Sequence, residues 1–348
     1  IESMVNPLVK KFWIFILVPF TFFNDVKGQF PVSVDIVYDF IKSNSIHRQQ
    51  VDWGVLDQQF WATVSSAHNL NDTMNAYIAV LKALDDVHSQ FYLNNQYYGY
   101  WRPVDESNSP RLTGLVEKAK ATTGIIIDTF FEEKYAYVRV PGFQANGYEE
   151  VNFYAKGLRD TIDYYGHQGA KGFVLDLRLN MGGNMYPMLS GLGCLLGDGE
   201  IGYEVDLTDT IVRTWYIQQG NFVLNDFPLT NLEPTSIKGI DEMPVVILIG
   251  PVTASSGSNT AIAFKGRRNV IFMGEATADG YTTSNGYFQF APNFFMNFAV
   301  AYVADRNMRL YPNNVEPNVF IPGGDNFEKI MLDEKIKRAL LWLRQKTE

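Results

Sequence analysis

Apolar residues in the first quarter of the chain recur at the spacing of amphipathic helices. One set runs from Val34 to Ile41, and a second runs from Met74 to Leu84. Because residues three and four apart share one face of a helix, both sets predict helices that bury one side. The stretch 94–112 is rich in Asn, Tyr, Pro and Ser and predicts an irregular connection.

After residue 120 the pattern changes to short apolar strands, which alternate with helices from about residue 135 onward. The predicted strands are 124–130, 135–140, 171–177 and 245–249, with further strands near 287–290 and 297–303. The predicted helices lie near 148–165, 185–196 and 327–343. This alternation predicts an α/β core behind a helical N-terminal subdomain. We therefore assign residues 30–112 to the N-terminal helical subdomain with its irregular connection, and residues 113–348 to the α/β core.

The first residues are typical of an export signal. Lys10 and Lys11 precede twelve mostly apolar residues, 12–23, and polar residues follow at 24–29. Twelve residues are too few to span a bilayer, whereas a charged start and a short apolar run are typical of a secretory signal. We expect residues 1–29 to be a signal peptide and leader, and the mature protein to be periplasmic or extracellular without a stable membrane span. A buried helix is the alternative for this segment.

Composition argues against several function classes. The net charge is −9, which argues against a surface that binds nucleic acid. No pair of His or Cys residues has the spacing of a metal site, and we expect neither a metal nor another cofactor. Cys194 is the only cysteine, so no internal disulfide can form, and its apolar neighbours predict a buried thiol.

The segment 244–264 carries the first candidate chemistry. An apolar run, 245–249, ends at Gly250-Pro251; small hydroxylated residues follow, and a helical pattern resumes at Ala261. A hydroxyl on such a turn is a candidate nucleophile, because backbone N–H groups at a helix N-terminus can stabilise an oxyanion. The same serines suit a helix cap equally well, so the motif alone leaves both interpretations open.

A second strand-turn-helix unit complements the first. The strand 171–177 runs into a turn that contains Gly182 and Gly183, and glycines there let backbone N–H groups approach a ligand closely. Either glycine together with Ser256 N–H would suit an oxyanion hole. A serine nucleophile also needs a base. Of the four histidines, only His88 has a distinctive setting, at the close of a helical run, and it is the candidate base.

Several motifs together resemble one known family. The segments LDDVHSQF (84–91), VLDLRLNMGGN (174–184), GPVTASSGS (250–258), MGEATADG (273–280) and YPNNVEPNVFI (311–321) resemble motifs of the tail-specific (C-terminal) processing peptidases. That superfamily includes the tricorn core peptidase and the interphotoreceptor retinoid-binding protein. The resemblance covers residues 70–345 and implies a spiral α/β core like that of crotonase and Clp protease. Only about 40 residues separate Tyr92 from Tyr135, too few for the PDZ module that members usually carry.

The resemblance also implies roles for individual residues. Ser255, the serine that follows Thr-Ala, becomes the nucleophile, and Ser256 N–H with the Gly182-Gly183 turn becomes the oxyanion hole. The processing branch takes a lysine base 25 positions after its serine, but Gly280 stands at that position here. The resemblance therefore points to the histidine-containing branch.

The base and the third catalytic residue follow from that branch. Its histidine lies in the N-terminal element, which corresponds to His88 in this sequence. Its acidic third member lies just before the closing Val-x-Pro, where this chain has Asn313 and Asn314 instead. Glu275 and Asp305 are the candidates to replace it and to fix the tautomer of the imidazole.

The resulting expectation is an exported serine peptidase that acts on peptides or unfolded proteins through Ser255 and His88. Two alternatives stay open. A catalytically weak or inactive protein on the same fold would bind a ligand or peptide, which the missing acid and the many aromatic residues favour. An esterase would use the same dyad on a small ester.

Overall fold

The computed structural model describes residues 33–68, 70–103 and 109–348, and the predicted signal segment 1–29 lies outside these ranges. The α-helices within them are α1 (Val34–Asn44), α2 (Trp53–Ser65), α3 (Leu70–Ala83), α4 (Ser109–Ala121), α5 (Tyr148–His167), α6 (Met185–Gly191), α7 (Gly193–Leu196), α8 (Ser256–Phe264) and α9 (Glu334–Thr347). The strands are β1 (Gln90–Leu93), β2 (Gln96–Gly99), β3 (Ile127–Phe131), β4 (Tyr135–Arg139), β5 (Gly172–Asp176), β6 (Gly199–Val205), β7 (Ile211–Gln218), β8 (Asn221–Leu224), β9 (Phe227–Pro228), β10 (Val245–Ile249), β11 (Val270–Gly274), β12 (Thr283–Ala291), β13 (Phe294–Asp305) and β14 (Val319–Phe320). Among the described helices, none has the length and apolar character needed to cross a membrane.

Three N-terminal helices cover one face of an antiparallel sheet. Asp52 caps α2, because its carboxylate accepts a hydrogen bond from the Gly54 amide at 2.9 Å. The buried faces of α1, α2 and α3 pack against Phe91 of β1 and against Phe294 and Phe298 of β13. The helices predicted in this part of the chain are confirmed, and apolar contacts fix them to the strand that follows His88.

The antiparallel sheet brings distant segments of the chain together around β13. Its strand order is β2-β1-β13-β6-β7-β8-β9, and β12 pairs with β13 as well. Asn297 of β13 pairs with Gln90 of β1 on one side and with Tyr287 of β12 on the other. The residues just before β1 and at the start of β12 therefore flank the same stretch of β13.

The second sheet is mixed and buried on both faces. Its order is β14-β11-β10-β5-β4-β3, with every neighbouring pair parallel except β3 and β4. Ile247 of β10 lies in the core beneath α5, α6 and α8, while Leu248 lies in the core beneath α9. A strand covered on both faces is apolar at every position, which is the pattern that predicted β10.

Parallel pairing of β5 with β10 positions the candidate site. The carboxyl ends of the two strands lie side by side at one edge of the sheet. The turns that leave them, 177–183 and 250–256, therefore meet at this edge, where open α/β sheets bind ligands. The predicted α/β architecture is confirmed.

Local predictions fail where distant contacts override the local pattern. The connection expected over 94–112 contains β2, which pairs with β1, and the start of α4. The helix expected over 185–196 is interrupted at Leu192, and Gly193 lies so close to Gly220 that a Cβ would stand 2.0 Å from its carbonyl oxygen. The strands β6 to β9 are absent from the sequence prediction. Their alternation is obscured by buried polar residues such as Glu204, which accepts a hydrogen bond from Trp215 Nε1 at 3.1 Å.

Candidate active site

The turn after β10 is tied to the turn after β5. Gly250 N–H donates to Thr253 Oγ1 at 3.0 Å, and the Thr253 hydroxyl donates to the Leu177 carbonyl at 2.8 Å. Ala254 N–H donates to the Asn180 carbonyl at 3.0 Å. The bonds to Leu177 and Asn180 cross between the two turns, so the turns form one unit at the edge of the mixed sheet.

Ser255 stands at the tip of this unit in a strained backbone conformation. Its φ is 52° and its ψ is −126°, and α8 begins at the next residue. A residue other than glycine rarely has positive φ, and holding it there costs about 1–3 kcal/mol. The Ser255 amide donates to the Tyr281 carbonyl at 3.0 Å, which helps to hold this conformation. A strained strand-turn-helix junction of this kind presents the nucleophilic serine of many hydrolases.

The glycine turn lies directly against Ser255. Gly182 and Gly183 have φ values of 109° and 111°, and a Cβ on Gly182 would stand 2.7 Å from Ser255 Cβ. Gly182 N–H donates to the side-chain oxygen of Asn180 at 2.9 Å and is therefore engaged. Within the described part of the chain, the amides of Gly183 and Ser256 donate to no acceptor. Those two amides are the groups available to bind an oxyanion.

Asn180 and Ser256 hold the glycine turn in place. The side-chain amide of Asn180 donates to the carbonyls of Val140 and Pro141, at 3.2 and 3.0 Å, beyond the end of β4. The Ser256 hydroxyl donates to the Gly183 carbonyl at 2.6 Å. The turn is therefore fixed from both sides before any ligand binds.

His88 reaches this turn from the antiparallel sheet. Its Nε2 lies 2.9 Å from Ser255 Oγ, and its Nδ1 lies 2.7 Å from Thr283 Oγ1 at the start of β12. The imidazole is 6% exposed and packs edge-on against the Tyr281 ring, with centroids 5.4 Å apart. The structure thus brings together the two residues that the sequence proposed as nucleophile and base.

Burial controls the charge of this histidine. Burial, with a smaller contribution from the neighbouring His47, lowers the pKa of His88 to about 4. The imidazole is therefore neutral at pH 7, which is the state that a general base requires.

Neither acidic candidate for the third position lies beside the imidazole, and Thr283 occupies that place. Glu275 instead accepts hydrogen bonds from Arg111 at 2.8 Å and from Lys335 at 3.2 Å. Burial alone would raise the pKa of Glu275, but Arg111 and Lys335 lower it, so it is a carboxylate paired in a separate ionic cluster. Asp305 accepts from the Tyr311 hydroxyl at 2.8 Å and closes the turn after β13.

Comparison with known proteins identifies the family. The sequence profile of peptidase family S41 matches residues 134–321, which is more than half of the chain. The chain belongs to peptidase family S41. The match includes both turns of the candidate site and Ser255, while His88 lies upstream of it. The family resemblance stated from the sequence motifs is confirmed.

Two curated relatives share part of this sequence. The chain is 30% identical over 174 residues, half of its length, to a nisin-resistance protein of Lactococcus lactis subsp. lactis. It is 28% identical over 145 residues, 42% of its length, to a carboxyl-terminal-processing protease of Synechocystis sp.. The matched segments span 52% of the first relative and 28% of the second.

Solved structures show that the resemblance extends to the fold. A lipoprotein from Streptococcus agalactiae superposes with a TM-score of 0.68 at 20% identity, covering 90% of this chain and 95% of that one. The photosystem II D1 C-terminal processing protease superposes with a TM-score of 0.52 at 14% identity, covering 83% and 92%. At these identities the likeness concerns the fold alone, and it confirms the predicted fold class.

Proposed function

We propose that this chain is an exported serine peptidase in which Ser255 is the nucleophile and His88 is the general base. The observation that carries the proposal is the 2.9 Å contact between His88 Nε2 and Ser255 Oγ. It lies beside the two amides, Gly183 and Ser256, that have no acceptor within the described residues. Nucleophile, base and oxyanion donors are the three groups that acyl transfer requires.

The reaction follows from these positions. His88 Nε2 takes the Ser255 hydroxyl proton while Oγ attacks the peptide carbonyl, whose π electrons move to its oxygen beside the Gly183 and Ser256 amides. Collapse of this intermediate breaks the C–N bond, and the amine leaves with the proton from Nε2. Water then attacks the acyl-enzyme and gives a proton to Nε2, and that proton returns to Ser255 Oγ as the ester bond breaks.

Membership in a peptidase family supports a peptide substrate, and the relative named for nisin resistance makes nisin a first compound to test.

The export proposal rests on the charged and apolar pattern of residues 1–29. Mass spectrometry of the protein secreted by expressing cells should find a mature N-terminus that lacks residues 1–29. A product that stays inside the cell and keeps residues 1–29 would contradict the export proposal.

Matched serine substitutions test the catalytic proposal. Ser255→Ala and His88→Ala should each lower kcat/KM toward nisin or a peptide-library substrate by at least about 10⁴-fold, because each removes a reacting group. Ser258→Ala is the control. Ser258 is buried on α8 three residues away, and its hydroxyl donates to the Thr253 carbonyl at 3.2 Å. Its loss should leave kcat/KM within about threefold of wild type, because this hydroxyl contacts no reacting group. The protein should stay folded, since one neutral hydrogen bond contributes about 1 kcal/mol to stability.

The outcomes separate the alternatives. Wild-type cleavage by folded Ser255→Ala protein would refute the proposed nucleophile. A wild-type protein that binds peptides but cleaves neither peptides nor esters would establish the binding-only alternative. Turnover of small esters with no peptide cleavage would establish the esterase.

A further inference from the structure

His88, Thr283 and Asn285 form a closed ring of hydrogen bonds. Its side-chain Nδ1 lies 2.7 Å from Thr283 Oγ1, Thr283 Oγ1 lies 2.9 Å from Asn285 Oδ1, and Asn285 Nδ2 lies 3.1 Å from the His88 backbone carbonyl. Thr283 and Asn285 are two residues apart on β12, so strand geometry places both side chains on one face. The ring thus connects the side chain and the backbone of a single residue.

The donors and acceptors in this ring can be assigned in only one order. The His88 carbonyl is an acceptor, so the group of Asn285 that faces it is the NH₂ group, and Oδ1 faces Thr283. Because Oδ1 only accepts, the Thr283 hydroxyl donates its hydrogen to Asn285. The Thr283 oxygen is then the acceptor for Nδ1–H of His88. Nε2 consequently carries a lone pair that faces Ser255 Oγ.

We propose that Thr283 and Asn285 are positioning residues that hold His88 as its Nδ1–H tautomer through a neutral relay, in place of a carboxylate. The proposal deepens the proposed function and rests on His88 being the base. Protons do not travel along the relay. When Nε2 takes the Ser255 proton, Nδ1–H stays on His88 and the hydroxyl hydrogen stays on Thr283.

Among the described residues, no charged side chain bonds directly to the imidazole of His88. Asp86 accepts from the backbone amides of His88 and Ser89, at 3.1 and 2.9 Å, and from the Ser89 hydroxyl, and burial raises its pKa. Burial also raises the pKa of Tyr281 and lowers that of His47. The Nδ1 atom itself contacts a hydroxyl, which orients the ring but supplies no negative charge.

A neutral relay has a specific consequence for pH dependence. In serine hydrolases with a triad, the carboxylate stabilises the imidazolium ion, whereas a hydroxyl does so only weakly. Burial lowers the pKa of His88 to about 4 and the hydroxyl does not offset this effect, so the acid limb of kcat/KM should fall near pH 4. Activity should persist at pH 5, where a histidine with an ordinary pKa of about 6.5 is mostly protonated.

Two adjacent buried threonines provide a matched test. Thr283→Val removes the hydroxyl that faces Nδ1 and keeps the shape of the side chain. Thr282→Val is the control, because Thr282 is also fully buried but its hydroxyl has no hydrogen-bond partner within the described residues. We expect Thr283→Val to lower kcat about 10- to 100-fold with KM nearly unchanged, a loss similar to that seen when the groups that orient metal-bound histidines are removed. Thr282→Val should change neither, and Thr283→Ser should restore most of the loss.

Nitrogen NMR of the full chain gives a readout that does not depend on activity. In wild-type protein near pH 7 the His88 signals should show a protonated Nδ1 and an unprotonated Nε2, and Thr283→Val should lose this preference. A wild-type His88 protonated on Nε2, or an acid limb near pH 7, would overturn the relay. A Thr282→Val loss equal to that of Thr283→Val would also overturn it. If the protein cleaves no substrate, the proposed function fails, but the tautomer still decides whether the relay exists.

Discussion

At the scale of single residues, the site depends on backbone positions that only certain residues can occupy. Ser255 is held at positive φ, and Gly182 lies so close to it that no Cβ fits between them. In the proposed mechanism both constraints serve the same purpose, because the strained serine projects its hydroxyl while the glycine lets a substrate carbonyl approach.

This constraint predicts the effect of one added methyl group. Gly182→Ala should lower kcat/KM by at least about 100-fold, because its Cβ would displace Ser255 and the neighbouring oxyanion donors. Gly199→Ala is a matched control, since Gly199 has a similar φ of 116° but open space where the Cβ would lie. Both variants should lose about 1–3 kcal/mol of unfolding free energy from backbone strain. Equal activity of the two variants, measured on peptide substrate, would contradict this account of the glycine turn.

The sequence indicated some of these residues and could not indicate others. Ser255, Gly182 and Gly183 lie in local motifs, so short-range patterns and family resemblance sufficed to propose them. Thr283 and Asn285 meet His88 across 195 and 197 positions of the chain. Pairing of β12 and β1 with the same strand creates that contact, and no local pattern encodes it. The sequence therefore offered Glu275 and Asp305 as the acidic third member, but both carboxylates are hydrogen-bonded elsewhere.

At the scale of elements, a buried ionic cluster fastens α9 to the strand that leads into the glycine turn. Arg178 contacts Asp176 at 2.7 Å, and Asp325 and Asp333 at 2.8 Å each, and it is almost fully buried. Asp333 also caps α9 by accepting from the amides of its first turn. One guanidinium group thus joins β5, the loop before α9 and the helix itself.

Removal of that guanidinium should be costly. Arg178→Met leaves three carboxylates without their shared partner and should lower the unfolding free energy by about 3–5 kcal/mol, measured by urea titration. Arg344→Met is the control, since the ion pair of Arg344 with Glu132 is exposed and such pairs contribute at most about 1 kcal/mol. Similar losses for the two variants would show that the buried cluster does not hold α9.

At the scale of the whole molecule, the site requires both sheets. Ser255 and the glycine turn lie at the edge of the mixed sheet, whereas His88 precedes β1 and Thr283 begins β12 in the antiparallel sheet. The sequence predicted the α/β class, because alternating strands and helices and a doubly covered β10 are local features. The strand order around β13 arises from pairing between distant segments. For that reason, the setting of His88 in the sequence made it a candidate base, but only resemblance to a family singled out Ser255 as its partner.

Identification of the residue that reacts with a fluorophosphonate is the most direct measurement of the central claim. Peptide mapping by mass spectrometry should find one adduct per chain, located on Ser255, because among the described residues only this serine combines a neutral base at 2.9 Å with free oxyanion donors. The adduct should be absent in Ser255→Ala and form at least about 100-fold more slowly in His88→Ala, while Ser258→Ala reacts like wild type. An adduct on a different residue, or no adduct on the folded wild-type protein, would contradict the account.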